Sequence, residues 1–175
     1  MSVQMSFVFV KSTGHAMAIL TQTAGVDLQA ADVATPALSV RGLWDDIGQK
    51  YEDAVFKFTP DLLDVFTGDV VEPALTAPRT YFVDKVNKSI NVLGSSGVTL
   101  AATAGNVHLV LPSPAGGPTN VFIACTTADP DKPEILQPSV SGAGTTFDFA
   151  VGPLPSKAYV LGLVAGYLPV WTQVP

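Results

Sequence analysis

The run from Ala158 to Pro175, AYVLGLVAGYLPVWTQVP, holds no charged side chain, and it limits the folds open to this chain more than any other segment. A membrane-spanning helix needs about 20 consecutive apolar residues. The apolar stretch from Ala158 to Trp171 is shorter and is interrupted by Gly162, Gly166 and Pro169, which suits two strands turning at Ala165-Gly166-Tyr167. In the first of them Tyr159, Leu161 and Leu163 share one face, while Val160, Gly162 and Val164 share the other. Both faces are apolar, as in a strand covered on both sides. A lone two-sheet domain covers only one of them with its own core, so the expectation is a second face shielded by a neighbouring subunit.

The rest of the composition narrows the partners. A net charge of −6 removes the basic surface that phosphate binding requires, which argues against nucleic acid and against an anionic membrane surface. The single cysteine, Cys125, allows no internal disulfide, and the opening MSVQMSFVFVK lacks the basic start and unbroken apolar core of a signal peptide. Cytoplasmic synthesis is the resulting expectation, with release as part of a particle left open. Charged residues make up only 14% of the chain against about 25% in an average soluble protein. The shortage is uneven: residues 1–90 hold 7 Lys/Arg and 11 Asp/Glu, residues 91–175 only 2 and 4, with 10 of the 14 prolines in the second part. That shift marks two units.

In the first unit, SFVFV and HAMAILTQT flank KSTG, which predicts a hairpin over about Ser6 to Thr21 turning through Gly14. DLQAADVA suggests one or two helical turns capped by Asp27 and ended by Pro36. YEDAVFKF alternates loosely as a strand. TPDLLDVFTG then carries helix signals: Thr59 as N-cap, Pro60 at the first position, Asp61 in the first turn and Gly68 past the end. RTYFVDKVNKSINVLG reads as a second hairpin, Arg79 to Val86 and Ser89 to Leu93, turning at Asn87-Lys88.

After GSSG, the chain becomes short β-runs between breakers: VTLAATA, NVHLVL, TNVFIACTT, TTFDFAV, AYVLGLVA and YLPVWTQV. Turn-rich gaps at this spacing indicate a two-sheet sandwich. GTTFDFAVGPLPSKAYVLGLVAGYLP also resembles the ending of prealbumin-like sandwich modules such as carboxypeptidase regulatory-like domains. The similarity lies in Phe147, Phe149, Leu154, Pro155, Tyr159, Leu161, Leu163, Gly166 and Tyr167. It covers about 26 residues, all packing positions; PSK stands where that family has Pro-Gly before the Tyr, and the family's opening strand is not obvious at 98–111. The resemblance implies a seven-stranded, mostly non-catalytic module. The expected fold is therefore mainly β: a small N-terminal α+β domain over 1–93 with one short helix near 60–67, then an Ig/prealbumin-like antiparallel β-sandwich over 98–175.

Residues with chemical capacity are few. His15 and His108 sit in apolar β-runs without metal-ligand spacing, and Cys125 in VFIACTT has no basic neighbour to activate it. GSSG is not a nucleophile elbow, and SGAGTT lacks the lysine and following helix of a phosphate loop. Asp129, Asp131 and Glu134 could face Ca²⁺, but Pro130 and Pro133 stiffen their loop and a solvated acidic turn explains them as well. Asp45, Asp46, Glu52 and Asp53 surround Trp44 and Tyr51, a combination found in sugar sites and equally in an exposed loop before a strand.

The expectation is a non-enzymatic structural subunit, without cofactor or metal, of a larger ordered assembly such as a phage-like or contractile particle. It associates with other protein subunits, itself included, through β-sheet surfaces and an interface at Tyr159, Leu161, Tyr167, Val170 and Trp171. Nucleic acid binding and membrane insertion are not expected. The alternative is a carbohydrate-binding module using Trp44 and Tyr51 or Trp171 as a stacking platform.

Overall fold

A computed structural model describes residues 3–23, 25, 28–33, 37–45, 50–94, 97–127 and 132–175, without the side chains of 3, 22, 23, 40–45 and 50–53. The chain is mainly β. Its first part runs β1 (Val3–Val10), β2 (Ala16–Thr23), β3 (Ala37–Asp45), β4 (Lys50–Lys57), β5 (Leu63–Gly68), helix α1 (Glu72–Thr76), β6 (Tyr81–Asp84) and β7 (Ser89–Val92). Its second part runs β8 (Thr99–Thr103), β9 (Asn106–Val110), β10 (Thr119–Cys125), β11 (Glu134–Leu136), β12 (Ser139–Val140), β13 (Thr146–Ala150), β14 (Tyr159–Val164) and β15 (Val170–Gln173). Every strand-to-strand ladder among the described residues lies within one part: β2-β1-β5, β3-β4 and β6-β7 in the first, β13-β9-β8 and β11-β10-β14-β15 in the second, where β12 also pairs β10.

The hairpin of β1 and β2 forms because Gly14 closes its turn with a φ of +78°. A Cβ there would lie 2.5 Å from the Val83 carbonyl oxygen, so glycine answers both the left-handed backbone and the close approach. In the β6–β7 hairpin the left-handed residue is Lys88, φ +49°, while Asn87 binds back to Asp84. The helical turn expected in DLQAADVA is a short 3-10 turn, Ala30–Asp32, entered at Gln29; Asp27 lies outside the described residues.

The helix expected near 60–67 does not form. Only Pro60–Leu62 makes a 3-10 turn, and Thr59 gives it no side-chain cap. Leu63–Gly68 is instead the strand β5, paired antiparallel with β1 from Val10↔Leu63 to Met5↔Gly68. The β-branched and aromatic residues Val65, Phe66 and Thr67 favour that extended state, and tertiary pairing outweighs the helix-start signals of a segment too short to hold a helix alone. The α-helix among the described residues is Glu72–Thr76, where Pro73 stands in the first turn. Three further strands that the sequence did not suggest are β3, which pairs with β4, and β11 and β12, which occupy the proline-rich stretch after β10.

Three apolar clusters stack these sheets. One joins Met5, Phe7 and Phe9 of β1 to Ala74 of α1 and Tyr81 and Val83 of β6. The second takes Val8 and Val10 from the other face of β1, with Phe56 and Phe58, and sets them against Phe122, Leu161 and Leu163. The third joins residues of both sheets of the second part, Val107 and Leu109 of β9 with Ile123 and Cys125 of β10 and Val160 and Val164 of β14. Strands β1, β10 and β14 are thus covered on both faces, and all six residues of β14 are buried.

This corrects the premise that the last strands carry an uncovered apolar face. Leu161 is 0% exposed and its outward face rests on the first part of the same chain. The two parts share a core, each fully buried Phe or Leu there contributing about 1.5–3 kcal/mol. Phe122 stacks on Phe58 across the junction with ring centroids 5.5 Å apart. Phe122→Ala is expected to lower the unfolding free energy in urea by about 3–5 kcal/mol and to leave a single transition. A loss under about 1 kcal/mol, or separate transitions for the two parts, would count against the shared core.

Candidate functional site

The five residues expected at an interface do not form one surface. Tyr159 and Leu161 are interior, in the cluster between the two parts. Tyr167 and Val170 are half-buried against the core of the second part. Trp171 is 38% exposed; it sits in register opposite Leu161, with its ring 6.2 Å from that of Tyr159 at a tilt of 47°. Of the five, Trp171 is the residue that presents a large apolar surface to solvent.

The other exposed large apolar side chains among the described residues all lie in the first part: Leu20, Val55, Val70, Leu75, Val86 and Val92. Val86 is 90% exposed, at the tip of the β6–β7 hairpin, and Val92 is 65% exposed at the end of β7. The tip is held by side chains. The Asp84 carboxylate accepts the backbone N–H groups of Val86 at 2.9 Å and Asn87 at 3.1 Å, and its second oxygen accepts the Asn87 amide at 2.7 Å. These bonds, those from Asn87 foremost, hold the Asp84 carboxyl below its usual range. The result is an ordered turn that displays an isolated valine. Asp followed three residues later by Asn was the signal that could have revealed it.

The residues with chemical capacity are engaged in the fold. Cys125 is fully buried, and burial followed by the Glu134 charge pushes its thiol up to about 12. The Glu134 carboxylate accepts the Gly152 N–H through both oxygens, each at 2.9 Å, and ties β11 to the loop after β13; Asp129 and Asp131, its companions in the Ca²⁺ reading, lie outside the described residues. His108 donates from Nδ1 to Asp148 at 2.7 Å, directly across the β9–β13 ladder, and so lowers the Asp148 carboxyl. Opposite His108 on β8 stands Ala101, so this pair occupies the outer face of a sheet and not a cleft. Among the described residues no group of three His, Cys, Asp or Glu side chains could hold a metal ion.

A cleft of about 340 Å³ opens between the β1–β2 turn, the β6–β7 turn and Asn120 and Ala165 of the second part. Its charged groups are committed elsewhere: Lys11 donates to the Asp61 carbonyl at 2.8 Å and Lys85 pairs with Asp64 at 2.8 Å. The acidic and aromatic group around Trp44 lies on the β3–β4 ribbon, where the backbone register sets Trp44 opposite Tyr51 and Asp45 opposite Lys50. The side chains of Trp44, Asp45, Tyr51, Glu52 and Asp53, and all of Asp46, lie outside the described residues. Among those described, no helix is long and apolar enough to cross a membrane.

In comparisons with known proteins, no family model, no curated protein and no solved structure matches the chain.

The burial of Cys125 gives a direct check on this reading of the site. In native protein the thiol is expected to react with a disulfide reagent no faster than the chain unfolds, and at once in denaturant. Rapid stoichiometric labelling of folded protein would mean that the pocket around Cys125 is open.

Proposed function

We propose that the protein is a non-enzymatic structural subunit of a larger ordered assembly, a component of a phage-like or contractile particle, that associates with copies of itself or other subunits through β-sheet surfaces. The observation that carries this reading is the β6–β7 hairpin, whose Asp84-bound turn holds Val86 out in water at its tip, with Val92 exposed at the far end of the same ladder. A preorganised apolar tip costs little ordering entropy when it docks into a neighbour, which is the economy an assembly contact needs. The contact moves from the buried Leu161 to this hairpin, with Trp171 as a second point on the edge strand β15. In this reading the second part is an antiparallel sandwich of the immunoglobulin or prealbumin type, with β13-β9-β8 facing β11-β10-β14-β15, serving as a rigid body behind the contact.

Light scattering coupled to size-exclusion chromatography checks the proposal. The wild type is expected at a multiple of its 18.2 kDa mass, and Val86→Asp with Val92→Lys at the monomer mass with unchanged circular dichroism. A wild type that stays monomeric at tens of micromolar, with no particle visible by electron microscopy, would contradict self-assembly.

A second reading, carbohydrate binding, has support of its own in Trp171, a partly exposed indole backed by the Tyr159 ring. Aromatic faces of this kind stack on sugars. Binding on a glycan array that vanishes in Trp171→Ala would favour it; an array without signal would leave the assembly reading alone.

A further inference from the structure

The β1–β2 turn reaches across to the second part through a histidine. His15 is 1% exposed. Its Nε2 lies 2.8 Å from the Tyr167 carbonyl oxygen and its Nδ1 lies 3.0 Å from the Thr13 hydroxyl. A carbonyl only accepts, so Nε2 carries the proton, and Nδ1 accepts from the hydroxyl of Thr13. The neighbouring carbonyl, Gly166, accepts the Gly94 N–H at 2.8 Å, so two consecutive peptide groups of the β14–β15 turn are gripped by the first part. Gly166 itself has a φ of +86°, which orients those two carbonyls at the turn.

The neutral ring is bonded at both nitrogens, to the Tyr167 carbonyl and the Thr13 hydroxyl. A second proton on Nδ1 would reverse the bond with the Thr13 hydroxyl, which can accept as well as donate, and would put a cation in the interior, where burial outweighs the Tyr167 and Thr13 bonds that favour it. The charged residues on the packed elements are Lys11 on the β1–β2 turn and Asp84 and Lys85 on the β6–β7 hairpin; Leu93, Gly94 and the β14–β15 turn from Ala165 to Tyr167 contribute none. Lys11 and Lys85 are themselves cations and cannot balance a charged imidazole, and the one carboxylate among these groups, Asp84, is bonded to the backbone and amide of its own turn.

We propose that the His15–Tyr167 clasp is a proton-sensitive latch: protonation of the buried imidazole releases the β14–β15 turn from the β1–β2 turn and from Gly94 in mild acid, while the ladders of both parts stay paired. Burial, the largest influence, brings the ring from 6.5 down to about 4. A lowered value in the closed state means that the opened state binds the proton first. The latch is therefore unaffected above pH 6.5, weakens as pH falls towards 4, and changes no further below that. At pH 4.5 the opening equilibrium is expected to rise by roughly two orders of magnitude over its value at neutral pH.

Residue-resolved amide exchange at pH 7.5 and 4.5, corrected for intrinsic chemical exchange, tests this in wild type and in His15→Gln, whose amide can donate to Tyr167 without titrating. In the wild type the opening constant at Gly94 should rise by roughly 100-fold at the lower pH relative to that of Ile123 in the shared core, and in His15→Gln by less than about threefold. Equal changes in both proteins, or none in the wild type, overturn the proposal. Should His15→Gln fail to fold, the ring signal of wild-type His15 decides: a neutral imidazole persisting to pH 5 supports the latch, and titration near 6.5 overturns it.

Discussion

The face that Phe122, Leu161 and Leu163 turn away from their own sheet pair must be kept from water, and the chain does this with its first part. Val8, Val10, Phe56 and Phe58 lie on that face, so β10 and β14 become the centre of the molecule and not one wall of a free-standing module. The same solution is repeated one layer out: β1 sends Val8 and Val10 inward and Met5, Phe7 and Phe9 outward to α1 and β6. Each added layer covers the last, and the outermost ones are short hairpins with mixed surfaces. The low charge of the second part follows from this stacking, because strands buried on two faces have few positions where a charge could reach solvent.

Polar contacts settle the register of the stack more than its strength. Ser6, buried in β1, meets Thr67 of β5 at 2.8 Å, which satisfies a hydroxyl that would otherwise be stranded in an apolar layer. His15 and Gly94 bind adjacent carbonyls of one turn, and Glu134 clamps Gly152 at the opposite side of the second part. These are single-point attachments over a continuous apolar core.

Much of this was written in local patterns. The strands β9, β10, β13 and β14 follow their β-runs, and Gly14 and Gly166 mark the turns where a left-handed backbone is needed. Two things were not legible. TPDLLDVFTG has the opening of a helix, and only the unpaired edge of β1, distant in sequence, makes it a strand. The double-sided apolarity of β14 was readable, but what covers it was not, because a pattern states that a face is buried without naming the partner. The clue lay in SFVFV, where Phe7 and Phe9 alternate with Val8 and Val10, a second strand without a polar face. Two such strands in one chain can cover each other. Among residues with chemical capacity, the structural readings of Cys125 and His15 could be made from their apolar surroundings, whereas the Asp84 turn and the Tyr167 contact depend on atoms that sequence spacing does not bring together.

Native-state hydrogen exchange in low denaturant on the Val86→Asp, Val92→Lys chain tests the enclosure of β10 and β14 most directly. If the first part is their cover, amides of β1 and of β14 should share the highest opening free energy and the same denaturant dependence, because neither layer survives without the other. A β1 that opens at distinctly lower free energy while Leu161 and Ile123 stay protected would show that the second part is complete in itself, and the account given for its apolar outer face would be wrong.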